Sequence, residues 1–470
     1  MIGVCGLRLS APPATPAGCC RSQQYPLVFC ELTKQGHRLL SSIATSQDPS
    51  ASIGLLHKFV ASSSKHVALN TLSHLLSPST SHPRLSSLAF PLYTIIRKES
   101  WFSWNTKLVA DLIALLNKQE RFNEAENLFS EAVSKLGFKE RELCNFYCNL
   151  VDSHAKHKSE KEVMDSCNEL KLLILQSSSV YVKRKGYESI VGGFCAIGLP
   201  NEAENSIEEM RNVGLKPSLF EIRSLIYGYG RLGSFEDMKR SIVQMENEGF
   251  ELDTVCCNMV VSSFGAHNKL SYMVSWLKKV RNTGISLSIR TYNSALNSCP
   301  EITLMVQDLK NLPLSINELV DNLNKDEADL VMELVKSSVL DQAMEWKSSE
   351  LKLDLHGMHL SSAYLILLQW FGEMQLRFIA GNQVAPAEIL VVCGSGKHSA
   401  VRGESPVKGL AKQMMQQLKC PMRIDRKNVG CLIAKGKVFK EWLYKLPPNE
   451  YGSPDDSAKA DTPENVAMCQ

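Results

Sequence analysis

The feature that most constrains this 470-residue chain is a pattern of residue types that returns every 35 positions between Gly186 and Ala295. Tyr187, Cys257 and Tyr292 share one column, with Ile222 in the fourth place, and Ile190, Leu225, Val260 and Ala295 form a second. Phe194, Tyr229 and Phe264 form a third, and Gly198, Gly233 and then Asn268 mark a turn. Ala203, Met238 and Met273 follow, then Met210, Met245 and Val280, and Gly214, Gly249 and Gly284 close the period. A repeat of this length is the mark of a stacked array. Ile190 and Phe194 are four apart and share a helix face, as do Ala203 and Met210, seven apart. Gly198 separates the two helices and Gly214 follows the second, where a left-handed backbone costs glycine little. One such pair cannot bury its apolar stripe alone. Neighbours must stack, which predicts an α-solenoid of helix-turn-helix repeats with a long concave surface.

The array is expected over residues 101–300, as about five to six repeats. Leu108, Leu112 and Leu115 start one copy, and Asn123–Glu124–Ala125 opens its second helix. Another begins near Cys144 and lies 40 residues before the next, with extra residues near Ile174–Val180. Residues 301–350 read as a helical connector, in which the acidic stretch Ser315–Leu340 is expected to be a solvated capping helix.

Residues 1–90 are rich in Ser, Ala, Pro and Leu, and their many bases face only Glu31 and Asp48. That composition predicts a transit peptide and disordered leader, within which Glu31–Ala44 has helical character. Residues 447–470 are expected to be a disordered tail. No apolar run is long enough for a membrane span. With a net charge of only +3, global charge selects no partner. The 15 cysteines form no paired CxxC, so no metal site is expected, and Cys148, Cys195 and Cys257 fall on helical faces as buried thiols of a reducing compartment. Nothing in the sequence sets an oligomeric state.

Residues 351–446 change character. Leu351, Leu353 and Leu355 alternate with Lys352 and Asp354, the period of a half-buried strand. His359 to Phe378 reads as an apolar helix, and Glu388–Val392 as a strand that runs into a tight loop, Cys393-Gly394-Ser395-Gly396-Lys397-His398-Ser399. Pro406 to Leu418 is a second helix, and Met422–Ile424 and Gly430–Ala434 are two more strands. Strands alternating with helices predict a small α/β two-layer sandwich domain after the solenoid.

The columns Tyr187, Phe194, Gly198, Asn201–Glu202–Ala203, Met210 and Gly214–Leu215–Lys216–Pro217 resemble the plant pentatricopeptide repeat, as do Thr291–Tyr292–Asn293 and Gly249–Asp253. The resemblance implies an organellar protein that binds single-stranded RNA, one base against each repeat. The base is read by a polar residue early in the first helix and by the last residue of the repeat. Those positions pair Glu188 with Ser218, Arg223 with Asp253 and Asn258 with Ser288, and Asn293 opens a further pair. Phosphate contacts would come from bases such as Lys183, Arg184, Lys185, Arg211, Lys216, Lys239, Arg240, Lys278 and Arg281.

Leu353-Asp354-Leu355-His356-Gly357, Cys393-Gly394-Ser395-Gly396 and Asn428-Val429-Gly430 resemble, in order and spacing, the small MutS-related domain, with Cys393 standing where that family has Thr. Asp354 and His356 share a strand face, so a carboxylate beside an imidazole could orient a water or assist proton transfer in phosphodiester cleavage. Gly394 and Gly396 would let backbone amides approach a phosphate, with Lys397 and His398 neutralising its charge. The resemblance implies endoribonuclease activity in some members. Two readings stand side by side. The first is an organellar RNA-binding protein acting in transcript processing, stabilisation or expression. The second is a sequence-directed RNA endonuclease. No cofactor is required by the first, and Mg2+ is the metal that would assist the second. The chloroplast is the expected compartment, with the mitochondrion as the alternative.

Overall fold

The computed structural model describes residues 32–45, 49–78, 83–380, 383–394, 396 and 405–446. Lys397, His398 and the tail 447–470 lie outside the described residues. The chain divides into two compact units, Met1–Gly228 and Tyr229–Gln470.

The first unit holds α1 (Lys34–Thr45), α2 (Pro49–Ser62), α3 (Lys65–Leu76), α4 (Pro83–Ser86), α5 (Ala89–Ile96), α6 (Thr106–Lys118), α7 (Phe122–Leu136), α8 (Glu140–Lys156), α9 (Glu160–Gln176), α10 (Val180–Ile197), α11 (Pro200–Asn212) and most of α12 (Leu219–Leu232). Among the described residues helix begins at Lys34, inside the stretch 1–90 expected to be transit peptide and leader and at the segment given helical character. Leu39, Leu40 and Ile43 of α1 and Leu72 and Leu75 of α3 are buried, so this part has an apolar face to hide and does so by packing. From α6 onward the helices form pairs, and α6 packs on α8 and α8 on α10. The extra residues near Ile174 are absorbed as helix: α9 has 17 residues where α11 has 13.

The turn between paired helices has one geometry in five of the pairs. Gly198, Gly233 and Asn268 have φ of 87°, 74° and 53°, and Glu120 and Lys158 take the same left-handed place at 59° and 56°. The amide that follows each returns to the carbonyl five residues back: Arg121 N to Leu116 O, Ser159 N to His154 O, Leu199 N to Phe194 O, Ser234 N to Tyr229 O and Lys269 N to Phe264 O, at 2.8–3.1 Å. This closes the last helical turn and fixes the register of the repeats. It also sets His154 in the column of Phe194, Tyr229 and Phe264.

The second unit continues with α13 (Phe235–Asn247), α14 (Thr254–Ala266), α15 (Leu270–Asn282), α16 (Ile289–Leu296), α17 (Pro300–Met305), α18 (Ile316–Asp321), α19 (Lys325–Val335) and α20 (Val339–Ala343). The acidic stretch is not a solvated helix. Leu330, Val331 and Leu334 of α19 are buried, and α19 packs on α15. Its carboxylates have internal partners. Glu333, 3% exposed, accepts from Arg281 Nε at 2.8 Å. Glu327, fully buried, accepts from the amides of Glu301 and Ile302 at 3.0 and 3.1 Å and from its own cap, Asn324. Glu327 thus takes up amides at the start of α17 that would otherwise be unpaired. Glu327→Ala is expected to cost about 2–3 kcal/mol, seen as a lower urea midpoint, with Glu327→Gln between it and the wild type. Equal midpoints would show that the carboxylate holds nothing.

The chain ends in a five-stranded sheet of order β1-β2-β3-β5-β4, built from β1 (Met344–Trp346), β2 (Glu350–Asp354), β3 (Glu388–Val392), β4 (Arg423–Ile424) and β5 (Cys431–Lys435). Strands β2 and β3 are parallel, joined through α21 (Leu360–Gln375), and the other pairs are antiparallel. Leu351, Leu353, Ile389, Val391, Leu432 and Ala434 are buried. Helices α22 (Pro406–Gln417) and α23 (Gly436–Leu443) complete the unit. Trp370 and Phe371 of α21 meet Phe439 and Trp442 of α23 in an aromatic cluster with centroids 5.1–6.1 Å apart. Strand β1 and helix α23 were not expected. β1 is only three residues long, and α23 follows β5 with no intervening turn residue to announce it.

Candidate nucleic-acid interface

The last residues of the repeats sit at helix starts. Ser218 Oγ lies 2.5 Å from Glu221 Oε2, and the Ser218 amide donates to the same oxygen at 2.7 Å. Asp253 accepts from the Cys256 amide at 3.0 Å, and Ser288 accepts from the Thr291 amide at 3.2 Å. Each of these side chains therefore caps the helix it precedes, a demand that by itself selects Ser, Thr, Asp or Asn. Among the first-helix residues, Glu188 pairs with Lys185 at 3.2 Å, and Arg223 is half-buried on α12.

Asn258 and Ser288 are linked through Thr291. The Ser288 amide donates to Thr291 Oγ1 at 3.0 Å, and Thr291 Oγ1 donates to Asn258 Oδ1 at 2.6 Å. The amide oxygen of Asn258 is thereby held, which leaves its Nδ2 as the side chain's donor. Asn293 is engaged differently. Its Nδ2 donates to Gly357 O at 2.9 Å and its Oδ1 accepts from the His359 amide at 2.8 Å. One turn on, the Asn297 side chain meets His359 Nδ1, with Oδ1 at 3.1 Å and Nδ2 at 2.7 Å. Two residues of α16 thus grip the turn after β2.

Several of the expected phosphate contacts are already in ion pairs: Lys185 with Glu188, Arg211 with Glu208, Lys239 with Glu236, Arg240 with Asp237 and Arg281 with Glu333. The first four pairs are at least partly exposed and exchange readily with another anion, because each contributes little, whereas the buried Glu333 holds Arg281. Lys183, Lys216 and Lys278 have no ion pair among the described residues.

At the sheet, the parallel pairing of β2 and β3 brings three motifs to one edge. Leu355 N donates to Val392 O and Cys393 N to Gly430 O, both at 2.8 Å. The turns at His356–Gly357, Cys393–Gly394 and Asn428–Gly430 are thus neighbours. Gly357, Gly394 and Gly396 have φ of 81°, 81° and 70°, a conformation that needs glycine. Asp354 Oδ1 accepts from the His356 amide at 2.9 Å, and Oδ2 is 3.5 Å from Lys352 Nζ. The carboxylate therefore shapes the turn that presents the exposed His356 ring. Cys393 is 4% exposed, and burial, together with the nearby Cys431 and Asp354, pushes its thiol up to about 12. It remains a thiol at neutral pH, and its part in the loop is its backbone. Ser405 Oγ donates to Cys393 O at 2.9 Å and caps α22.

The residues missed from sequence are Thr291, Asn297, Lys352, His359 and Ser405. Thr291 had a signal, since Ser288-x-x-Thr291 is the spacing of a capping box. All three buried thiols named from sequence are buried and free of disulfides. Among the described residues no group of three or more His, Cys, Asp or Glu is placed to hold a metal ion, and no helix is long and apolar enough to cross a membrane.

No family model matches the chain. Over 417 residues it is 57% identical to the pentatricopeptide repeat-containing protein At2g17033 of Arabidopsis thaliana, a match covering 88% of this chain and 83% of that one. The chain belongs to the pentatricopeptide repeat family. It is also 23% identical over 209 residues to the chloroplastic pentatricopeptide repeat-containing protein At5g48730 of Arabidopsis thaliana, covering 43% of this chain and 40% of that one. Among solved structures it is similar to the pentatricopeptide repeat protein PPR10 from maize, at 15% identity and a TM-score of 0.38 over 81% of this chain and 49% of that one. The chain thus spans about half the length of that structure. PPR10 has also been solved in complex with an 18-nucleotide psaJ RNA element; that match has 14% identity, a TM-score of 0.33, and covers 82% of this chain and 57% of that one.

Proposed function

We propose that this chain binds single-stranded RNA along the first helices of its repeats and acts in the processing, stabilisation or expression of organellar transcripts. The observation that carries the reading is the Asn258–Thr291–Ser288 chain of hydrogen bonds. A short amide, held by its oxygen, offers a directed donor to the acceptor edge of a base. Glu188 with Ser218 and Arg223 with Asp253 are the further reading pairs, and Lys183, Lys216 and Lys278 supply phosphate contacts. Residues 351–446 act as a small MutS-related domain, with Gly394, Gly396, Lys397 and His398 facing a phosphate. The Ser-rich, basic start of the chain directs it to the chloroplast, a compartment that the name of one Arabidopsis relative also carries.

The test is the set of transcripts that co-purify with the tagged protein from plastids, followed by titration of the bound segment. Asn258→Ala is expected to weaken that segment by about 1–3 kcal/mol and to relax preference at one base. Lys183→Ala is expected to weaken all sequences alike and to lower the salt slope by about one. No enrichment of RNA, or equal loss for every sequence in Asn258→Ala, would sink base reading.

Cleavage is favoured as a second reading by the meeting of the Asp354–Gly357, Cys393–Gly394 and Asn428–Gly430 turns at one sheet edge. There Asp354 orients the turn and His356 would move the proton. Asp354→Ala with His356→Ala is expected to keep RNA affinity and abolish any cut made by the wild type in Mg2+. A wild type that binds its RNA and leaves it whole would confine the domain to binding.

A further inference from the structure

The second repeat departs from its own column. His154 fills the place that Leu116, Phe194, Tyr229 and Phe264 take in the other repeats, and at 3% exposure it is as buried as the three aromatic rings. An imidazole is smaller than their six-membered rings and carries polar atoms. His154 Nδ1 has no hydrogen-bond partner. An unmet buried polar atom is destabilising, so its retention calls for a reason. The ring lines a cavity of about 260 Å³ between the first two repeats. That volume is below the roughly 300–1,000 Å³ of sites for drug-sized ligands and suits a single side chain.

The other walls state the chemistry. Phe129 and Tyr147 give aromatic surface. Glu162, Asp165 and Glu169 stand three and four apart along one face of α9, and none of them is ion-paired among the described residues. Lys161 is the one base against them in the lining. Burial lowers the His154 pKa to about 4, assisted by His157 and opposed by Asp165, so the ring is neutral at pH 7 and can accept a proton donor. The carboxylates line a helix face and do not converge as a metal cage.

We propose that this pocket binds an organic cation of side-chain size, a guanidinium or primary alkylammonium. The cation packs against the neutral ring of His154 and the rings of Phe129 and Tyr147, and is neutralised by Glu162, Asp165 and Glu169. An arginine or lysine of another polypeptide and a free amine share this chemistry.

The test uses the full chain, freed of RNA and labelled with ¹⁵N-histidine, with the His154 signal assigned through His154→Gln. Three probes are titrated: agmatine, the peptide acetyl-Gly-Arg-Gly-amide and uncharged butylurea. Agmatine or the peptide is expected to shift the His154 signal saturably. The double change Asp165→Asn, Glu169→Gln, at two exposed positions, should weaken that binding on the order of tenfold with an unchanged circular dichroism spectrum. A response to agmatine identifies a free amine as sufficient, and a response to the peptide alone identifies a partner's side chain. The proposal is overturned if neither cation moves His154, if butylurea moves it as far, or if the double variant binds as tightly as the wild type.

Discussion

Gly436→Ala is expected to destabilise the C-terminal sheet by at least about 3 kcal/mol, while the same change at Gly409 is expected to stabilise α22 by up to about 1 kcal/mol. The two sites differ in what a methyl group would meet. At Gly436 it would lie 1.8 Å from Pro386 O and 2.9 Å from that carbonyl carbon. Both are backbone atoms of the segment that enters β3, whose neighbour Ala387 accepts the Gly436 amide at 3.0 Å. No rotamer can relieve such a clash. Either the bond to Ala387 breaks or β3 shifts against β5, whose register runs Glu388 to Lys435 and onward. At Gly409 a methyl meets nothing within 4 Å, and the residue is exposed in the first turn of α22. There alanine only reduces the freedom of the unfolded chain. Amide exchange across β3 and β5 reads the first effect locally, which suits a chain whose two units need not unfold together. Similar protection in the two variants would refute the claim that this contact sets the register.

Acid should act on the first unit through His154. Unfolded, the ring takes up its proton near pH 6.5; folded, not until about pH 4. Between those values the unfolded chain binds the extra proton, so stability is whole above pH 6.5 and falls as the pH drops towards 4. A shift of that size corresponds to about 3 kcal/mol. His157 is depressed by burial too and adds a slope of the same sign. The Asp165 carboxylate works against this depression and moderates the loss. His154→Phe gives the ring type of the three repeats that follow, and urea midpoints measured from pH 7 to 4 should show it keeping most of what the wild type loses. Parallel pH profiles would place the acid sensitivity elsewhere.

Much of the fold was legible because the array repeats itself. Columns of Phe194 and Tyr229 fixed the helix faces, and Gly198, Gly233 and Asn268 marked turns that do adopt positive φ. The turn at Lys158 was hidden because a lysine occupies a place where glycine is cheaper, and the neighbouring contacts hold it there. With the turn hidden, His154 gave no sign that it belonged to an aromatic column. The acidic connector was misread for a related reason. Composition shows Glu327 and Glu333 as charges, and only tertiary structure supplies the amides and the guanidinium that let them be buried. At the sheet the turns after β2 and β3 are neighbours because those strands are parallel, and the turn before β5 joins them because β5 runs antiparallel to β3. What spacing could not show was the capping duty of Asp354, Ser218, Asp253 and Ser288. A residue suited to meet a base is also suited to end a helix, and the two demands choose the same side chains.

The hold of Asn293 and Asn297 on the Gly357–His359 turn has a consequence for both halves of this unit. The last first helix in the row, α16, has its Asn293 side chain committed at both the nitrogen and the oxygen. Any ligand that competes for those two side chains must release the segment bearing His356. Occupancy at the end of the row and geometry at the sheet edge are then a single linked equilibrium, and a change on either side is felt by the other with equal free energy.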